Sequence, residues 1–320
     1  MSDPQPTASP VADTSSSIPP SAPDVTAAAA GSLAATPPAA PRHINTVDEA
    51  GGRDGAWLSA THFAVASPAG VGLYDLSLAE PRRAPLGTSG DVTALAFVPG
   101  RRSLVLGDGD GQVHSNELSS GRAGFHVGLN RGAILHLATD GRHVSAASEV
   151  DVVVTDLDTR SEWHLPDQRR AVAWMGDGVF ATLGRSGVEV WLCETRGRVA
   201  SMPVDVGQVV ALEYLAAPGM LAAGLHGGAV VVWSMMDDPP SARGEIRVPG
   251  GLAALAVAPD GKTLASGSPD GTVRLWNDFA ADAPPAADAG APIVALRFSA
   301  DGSRLAAVTA RGISLFALAD

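Results

Sequence analysis

From Arg42 onward the chain alternates short apolar runs with tight polar turns, and the alternation repeats at a nearly fixed period. Each unit opens on a strand of small apolar residues, turns, continues through an Ala/Ser-rich strand, turns again, and enters a β-branched strand. Runs this short, bounded by Gly, Asp and Pro, predict strands. The clearest copy reads LAALAVAPDGKTLASGSPDGTVRLWND, Leu252 to Asp278. The other copies end at Tyr74-Asp75, Asn116-Glu117, Thr155-Asp156, Trp191-Leu192, Trp233-Ser234 and Phe316-Ala317. Counted from each second residue, with Asn277 in the clearest copy, the steps are 42, 39, 36, 42, 43 and 40 residues.

Within a unit, Asp-Gly marks the first turn at Asp140-Gly141, Asp177-Gly178, Asp260-Gly261 and Asp301-Gly302. A two-residue type I′ hairpin needs positive φ at both central positions, which Asp-Gly tolerates. A second turn, such as Asp110-Gly111 or Asp270-Gly271, completes a three-strand meander, and an outer strand follows, for example Arg198–Val204 or Gly244–Pro249. The third strands number seven, from Val71–Leu76 to Ile313–Leu318. Four strands per unit at this period predict an all-β chain folded as a seven-bladed β-propeller. The last unit stops after its third strand, whereas an orphan strand-like segment, Arg42–Val47, precedes the first. That segment is expected to complete the last blade and close the ring, hiding two sheet edges.

Composition divides the chain in two. Residues 1–41 hold nine prolines among Ala, Ser and Thr, and predict a disordered tail, because they cannot bury enough apolar surface to order. Residues 42–320 are the propeller. The tail carries three aspartates and no basic residue, which leaves −9 of the net charge of −12 on the body. A body this acidic opposes non-specific nucleic-acid binding and an anionic membrane surface. No apolar run approaches the roughly 18 residues that span a bilayer. The single cysteine, Cys193, excludes an intrachain disulfide and is expected as a small buried apolar group. The N-terminus lacks a basic stretch ahead of an apolar one, so a cytoplasmic protein is expected. One lysine against 21 arginines, with abundant Ala, Gly and Pro, fits a GC-rich bacterial genome.

The repeats resemble the WD40 family over residues 42–320. The sixth unit carries the resemblance best, with Ala258-Pro259-Asp260-Gly261, Leu264-Ala265-Ser266-Gly267-Ser268, Asp270-Gly271 and Val273-Arg274-Leu275-Trp276 in family order. The family links a Trp, a Ser or Thr, a turn Asp and a His in a buried network. Trp276, Ser266 and Asp270 match three of these positions, and Pro249-Gly250-Gly251 stands where the His belongs. The resemblance implies a rigid platform for a protein or peptide partner and no cofactor.

Candidate chemistry is sparse. Gly107-Asp108-Gly109-Asp110-Gly111 offers two carboxylates, but Val113 stands where a calcium loop needs Gly, so it is expected as a turn. His136 and His143 flank a turn, and a two-residue turn would pair Ala138 with His143 and bring both imidazoles to one face. No third ligand at recognisable spacing accompanies them. Glu213 and Arg297 occupy a column that is Ala96 and Ala256 in other units, and charge there needs a partner or water. No Gly-x-Ser-x-Gly, His-Glu-x-x-His or Walker loop is present.

The loops entering the first strands share a face with the second turns. Asp91, Asp108, Asp110, Glu149 and Asp151 form an acidic sector there, and Arg131, Arg169, Arg170 and Arg185 a basic one. Arginine suits bidentate recognition of carboxylates. These four residues are therefore the expected partner-binding site of a non-enzymatic scaffold. Two alternatives stand beside it. One is a lactonase-like propeller hydrolase using His136, Glu213 and Arg297 in the central channel, and the other is a structural subunit of an assembly. The opposite face carries long loops, Met235–Gly244 and Asp278–Ala291, expected as solvated connections.

Overall fold

The computed structural model describes residues 39–78, 80–86, 90–120, 123–128, 132–277 and 283–318. They form seven antiparallel four-stranded sheets. The innermost strands of blades 1 to 7 are Asp54–Trp57, Val92–Val98, His136–Thr139, Arg169–Gly176, Val209–Leu215, Ala254–Val257 and Ile293–Phe298. Each packs against its counterparts in both neighbouring blades, the seventh against the first, so they ring a central channel. The expected tail falls outside the described residues up to residue 38.

The seventh sheet takes its outermost strand from the start of the propeller. Arg42–Asp48 pairs antiparallel with Gly312–Ala317, from Arg42 opposite Ala317 to Asp48 opposite Gly312, with a bulge between His43 and Asn45. Val47 is the buried residue of this otherwise exposed strand, and it packs on Ile313 and Leu315.

Small side chains let neighbouring sheets approach. Between blades 6 and 7, Ala254, Ala256 and Ala265 meet Leu296, Leu305 and Phe316, all at most 6% exposed. The low charge of the chain follows from this burial on both faces of each blade.

Three expectations are corrected. At the first turns, both Asp and Gly have positive φ only in Asp177-Gly178, at 48° and 73°. At the other three, glycine alone is left-handed, because the aspartate caps the turn with its side chain. Asp260 Oδ1 accepts the Lys262 and Thr263 N–H groups at 2.8 and 2.9 Å, and Asp140 Oδ1 accepts those of Arg142 and His143 at 3.0 and 2.6 Å. These turns are longer by two residues, so Ala138 pairs with Ser145 and not with His143. His136 then borders the channel, whereas His143 stacks on Trp174 of blade 4, with centroids 5.5 Å apart. The two imidazoles do not converge. Among the described residues, no group of three or more His, Cys, Asp or Glu could hold a metal ion. The second correction concerns the two long loops. Each contains strand, as Ser241–Arg247 and Ala286–Asp288 are the outer strands of blades 5 and 6. Third, Cys193 is only half-buried, in a cavity wall. The Asp108 segment is the expected turn, its Oδ1 accepting the Asp110 and Gln112 N–H groups at 3.0 and 2.8 Å.

Candidate functional site: a channel waist and its entry face

Side chains two residues apart on a strand share a side. Two residues of each innermost strand thus fall in two rings about the channel, and all of them except Ala94 border its cavities. In register, the first ring is Asp54, Ala94, His136, Ala171, Ala211, Ala254 and Ala295. The second ring is Ala56, Ala96, Ala138, Ala173, Glu213, Ala256 and Arg297. Alanine fills every position but four, and those four are titratable. The entry half of the channel is a cavity of about 250 Å³ and the exit half one of about 470 Å³. His136, Glu213 and Arg297 border both halves and so form the waist.

Arg297 is committed to structure. Its Nη2 donates to Asp54 Oδ1 at 2.6 Å, Nε to the Gly55 carbonyl at 3.1 Å, and Nη1 to the Leu296 carbonyl at 2.8 Å. Its own carbonyl accepts Trp57 Nε1–H at 2.9 Å. Asp54 also accepts the Leu95 N–H at 3.0 Å, which ties blade 2 to the same clamp. Burial raises the Asp54 pKa, and the Arg297 charge and these hydrogen bonds oppose that rise. The clamp explains why charge stands in a column of alanines: it joins blade 7 to blade 1.

His136 and Glu213 face the waist without such partners. Burial, then the Arg297 charge, lowers His136 to a pKa of about 4, so the imidazole is neutral at pH 7, and its buried Nδ1 has no hydrogen-bond partner. Burial raises Glu213 to about 7 against the lowering charge of Arg297. Glu213 is half-buried and borders the channel. An acid titrating near neutrality on a channel wall can exchange a proton with water. With Arg297 and Asp54 locked together, no free cation borders the waist among the described residues.

On the entry face, Arg170 lies at the channel mouth in a left-handed conformation, φ 64°, and its Nε donates to Glu149 Oε2 at 2.8 Å. Arg185 Nη2 donates to Asp167 Oδ2 at 2.8 Å, and Arg169 is half-buried beside Arg170. Arg131 lies outside the described residues. Arg53, absent from the expected sector, borders the mouth and pairs with Asp91 at 2.8 Å. Leu135 and Val294, each 42% exposed, also border it.

In the sixth blade, Trp276 Nε1 donates to Ser266 Oγ at 2.8 Å, and both residues are buried. Asp270 stands apart from this pair. Its Oδ1 accepts the Thr272 N–H at 2.9 Å, and Gly250 packs so closely on it that a Cβ there would come within 2.6 Å of Oδ2. Cys193 borders a cavity of about 680 Å³ on the exit side of blades 3 and 4, and burial, then the Asp140 charge, pushes its thiol up to about 11. It is a neutral thiol and a poor nucleophile at pH 7.

The alanine columns also mark Asp54 and His136, two residues ahead of the column that holds Glu213 and Arg297. Nothing local marks Arg53, since its place at the mouth comes from the ring as a whole.

Comparison with known proteins agrees with this architecture. The WD40 family model, described as WD domain, G-beta repeat, matches residues 247–277. The chain is similar to the crystal structure of the β-propeller domain of Cps50 (Swd1) from Myceliophteria thermophila, with a TM-score of 0.73 and 14% identity. The match covers 87% of this chain and 100% of that one. A likeness at this identity is one of fold. Comparison with curated proteins finds no match. The chain is a seven-bladed β-propeller with a WD40 repeat in its sixth blade. Among the described residues, no helix is long and apolar enough to cross a membrane.

Proposed function

We propose that the protein is a non-enzymatic cytoplasmic scaffold that binds a protein or peptide partner through the entry face of its propeller. One observation carries this reading. Leu135 and Val294, large and exposed, stand at the channel mouth between Arg53 and Arg170, and Val150, 47% exposed, lies on the same face beside Glu149. Apolar groups rimmed by arginine have the anatomy of a protein-binding patch. Arg169, Arg170 and Arg185, with Arg131, would meet acidic groups of the partner. Their neighbours Glu149 and Asp167 hold two of these side chains in place through exposed ion pairs, which are weak enough to exchange for a partner's carboxylates.

The test is affinity capture from native cytosol, read by mass spectrometry. The baits are the full chain and variants carrying R131E, R169E, R170E and R185E together, or L135D with V294D. The expected result is a stoichiometric partner that weakens as salt rises and is lost by both variants. A partner held equally by all three baits at any salt would move the interface off this face.

A further inference from the structure

The gap between blades 3 and 4 is built unlike the others. Trp163, Trp174 and Trp191, three of the six tryptophans, stand in it. Trp163 lies on the outer strand of blade 3, Glu162–Pro166, and Trp191 on the blade 4 strand Gly187–Leu192. Their rings meet edge to face, with centroids 5.7 Å apart at 74°. Beside them the cleft opens into a cavity of about 480 Å³.

Two polar atoms of residues in its wall are buried without a partner: Trp191 Nε1–H, a donor, and Gln168 Oε1, an acceptor. Gln168 is only 5% exposed. Its amide cannot be turned around, because Nε2 donates to Glu189 Oε2 at 2.9 Å and a carboxylate accepts only. The second Glu189 oxygen accepts Arg198 Nη1 at 2.9 Å. Glu189 is itself 7% exposed, so one buried carboxylate holds both the Gln168 amide and the Arg198 guanidinium. Glu189 and Trp191 are two apart on one strand and share its face. Two residues of the wall thus carry one buried donor and one buried acceptor that the fold leaves unpaired. One peptide unit supplies the complementary pair, a carbonyl oxygen and an N–H.

The rim is cationic. Arg185 is 78% exposed at its side chain and pairs with Asp167, and Arg198 is 53% exposed. Arg196 makes no ion pair among the described residues. These three arginines stand on a body of strongly negative charge, which rejects a polyanionic nucleic acid but leaves a local field for a few carboxylates.

We propose that this cleft binds an extended acidic segment of a protein partner. A main-chain amide of the segment bonds Trp191 Nε1–H and Gln168 Oε1, an apolar side chain seats against Trp163 and Trp191, and its carboxylates meet Arg196 and Arg198. The site rests on the scaffold reading only in taking a protein ligand. It shares Arg185 with the entry face and is otherwise separate from the channel mouth.

The test begins with a phage-displayed random dodecapeptide library panned on the full chain. The expected consensus pairs Asp or Glu with an apolar residue, and a basic consensus, or none, overturns the proposal. The consensus peptide, fluorescein-labelled, is then titrated by polarisation against R196E/R198E, W191F and R169E/R170E. The first two are expected to weaken binding about tenfold or more, and the third to leave it unchanged. The exposed arginines test the site even if W191F folds poorly. Loss on R169E/R170E alone would refute the cleft and support the channel mouth, and loss on none of them would refute both for this peptide. A crystal structure of the complex showing water, and not the peptide backbone, on Trp191 Nε1 and Gln168 Oε1 would also overturn the proposal.

Discussion

The junction of blades 7 and 1 and the junction of blades 3 and 4 solve the same packing problem in opposite ways. At the first, Arg297, Asp54 and Trp57 satisfy one another and the intervening carbonyls, over a core that includes Phe63, Val65, Val308 and Ile313. At the second, Trp174 Nε1 donates to Ser145 Oγ at 3.1 Å and stacks on His143, yet Trp191 Nε1 and Gln168 Oε1 go unpartnered and two cavities open. The first junction flanks the seam of the ring, because blade 7 joins the N-terminal strand Arg42–Asp48 to three C-terminal strands through hydrogen bonds. The second lies between two blades that are each built from one continuous stretch of chain. A propeller can leave a junction imperfect there, and an imperfect junction is one that a ligand can complete.

The largest effect should come from breaking the closed junction. Arg297→Ala leaves the Asp54 carboxyl 5% exposed and without its cation, and is expected to destabilise the protein by about 3–5 kcal/mol in urea titration. Adding Asp54→Ala should recover a large part of that loss, because both members of the pair are then gone. If the double variant is no better than the single, the clamp acts through the Gly55 carbonyl and not through charge.

A smaller effect shows how far the Arg297 charge reaches. Glu213, raised to about 7, is an acid whose ionised form is penalised in the folded state. Its native form carries no penalty below the unfolded carboxyl pKa of about 4.3, loses stability as pH rises toward 7, and stays lower above it. Glu213→Gln is therefore expected to leave stability unchanged at pH 4 and to raise it by about 2 kcal/mol at pH 8. In the Arg297→Ala background the carboxyl should titrate higher still, since Arg297 holds it down. An E213Q gain independent of pH would show that the carboxyl does not titrate in this range.

Much of this is legible in the residues. The period, the missing outer strand and the orphan Arg42–Val47 segment together specify seven sheets and the pairing of Arg42–Asp48 with Gly312–Ala317, because each depends only on counting strands. The alanine columns point to Glu213 and Arg297 for the same reason. What lies beyond the sequence is pairing across blades and the local choice of turn. Arg297 and Asp54 are 243 residues apart, and no spacing rule joins them. Asp140 reads as a two-residue turn until its side chain is seen to cap the Arg142 and His143 N–H groups, which moves the register and separates His136 from His143. The Arg170–Glu149 pair joins the acidic and basic sectors that appear distinct along the chain.

The smallest effect isolates the difference between the junctions as one hydrogen bond. Trp57→Phe and Trp191→Phe delete the same indole N–H and similar ring area, at positions where each tryptophan already packs edge to face on another ring. In the first case the deletion leaves the Arg297 carbonyl without its Trp57 donor. In the second it removes a donor that had no acceptor. Trp57→Phe should therefore cost about 1 kcal/mol more than Trp191→Phe in paired denaturant titrations. Equal losses would mean that Trp191 Nε1 is bonded in solution, and the open junction would then be as complete as the closed one. With the consensus peptide present at saturation, the two losses should converge, because the ligand supplies Trp191 with the acceptor that Trp57 already has.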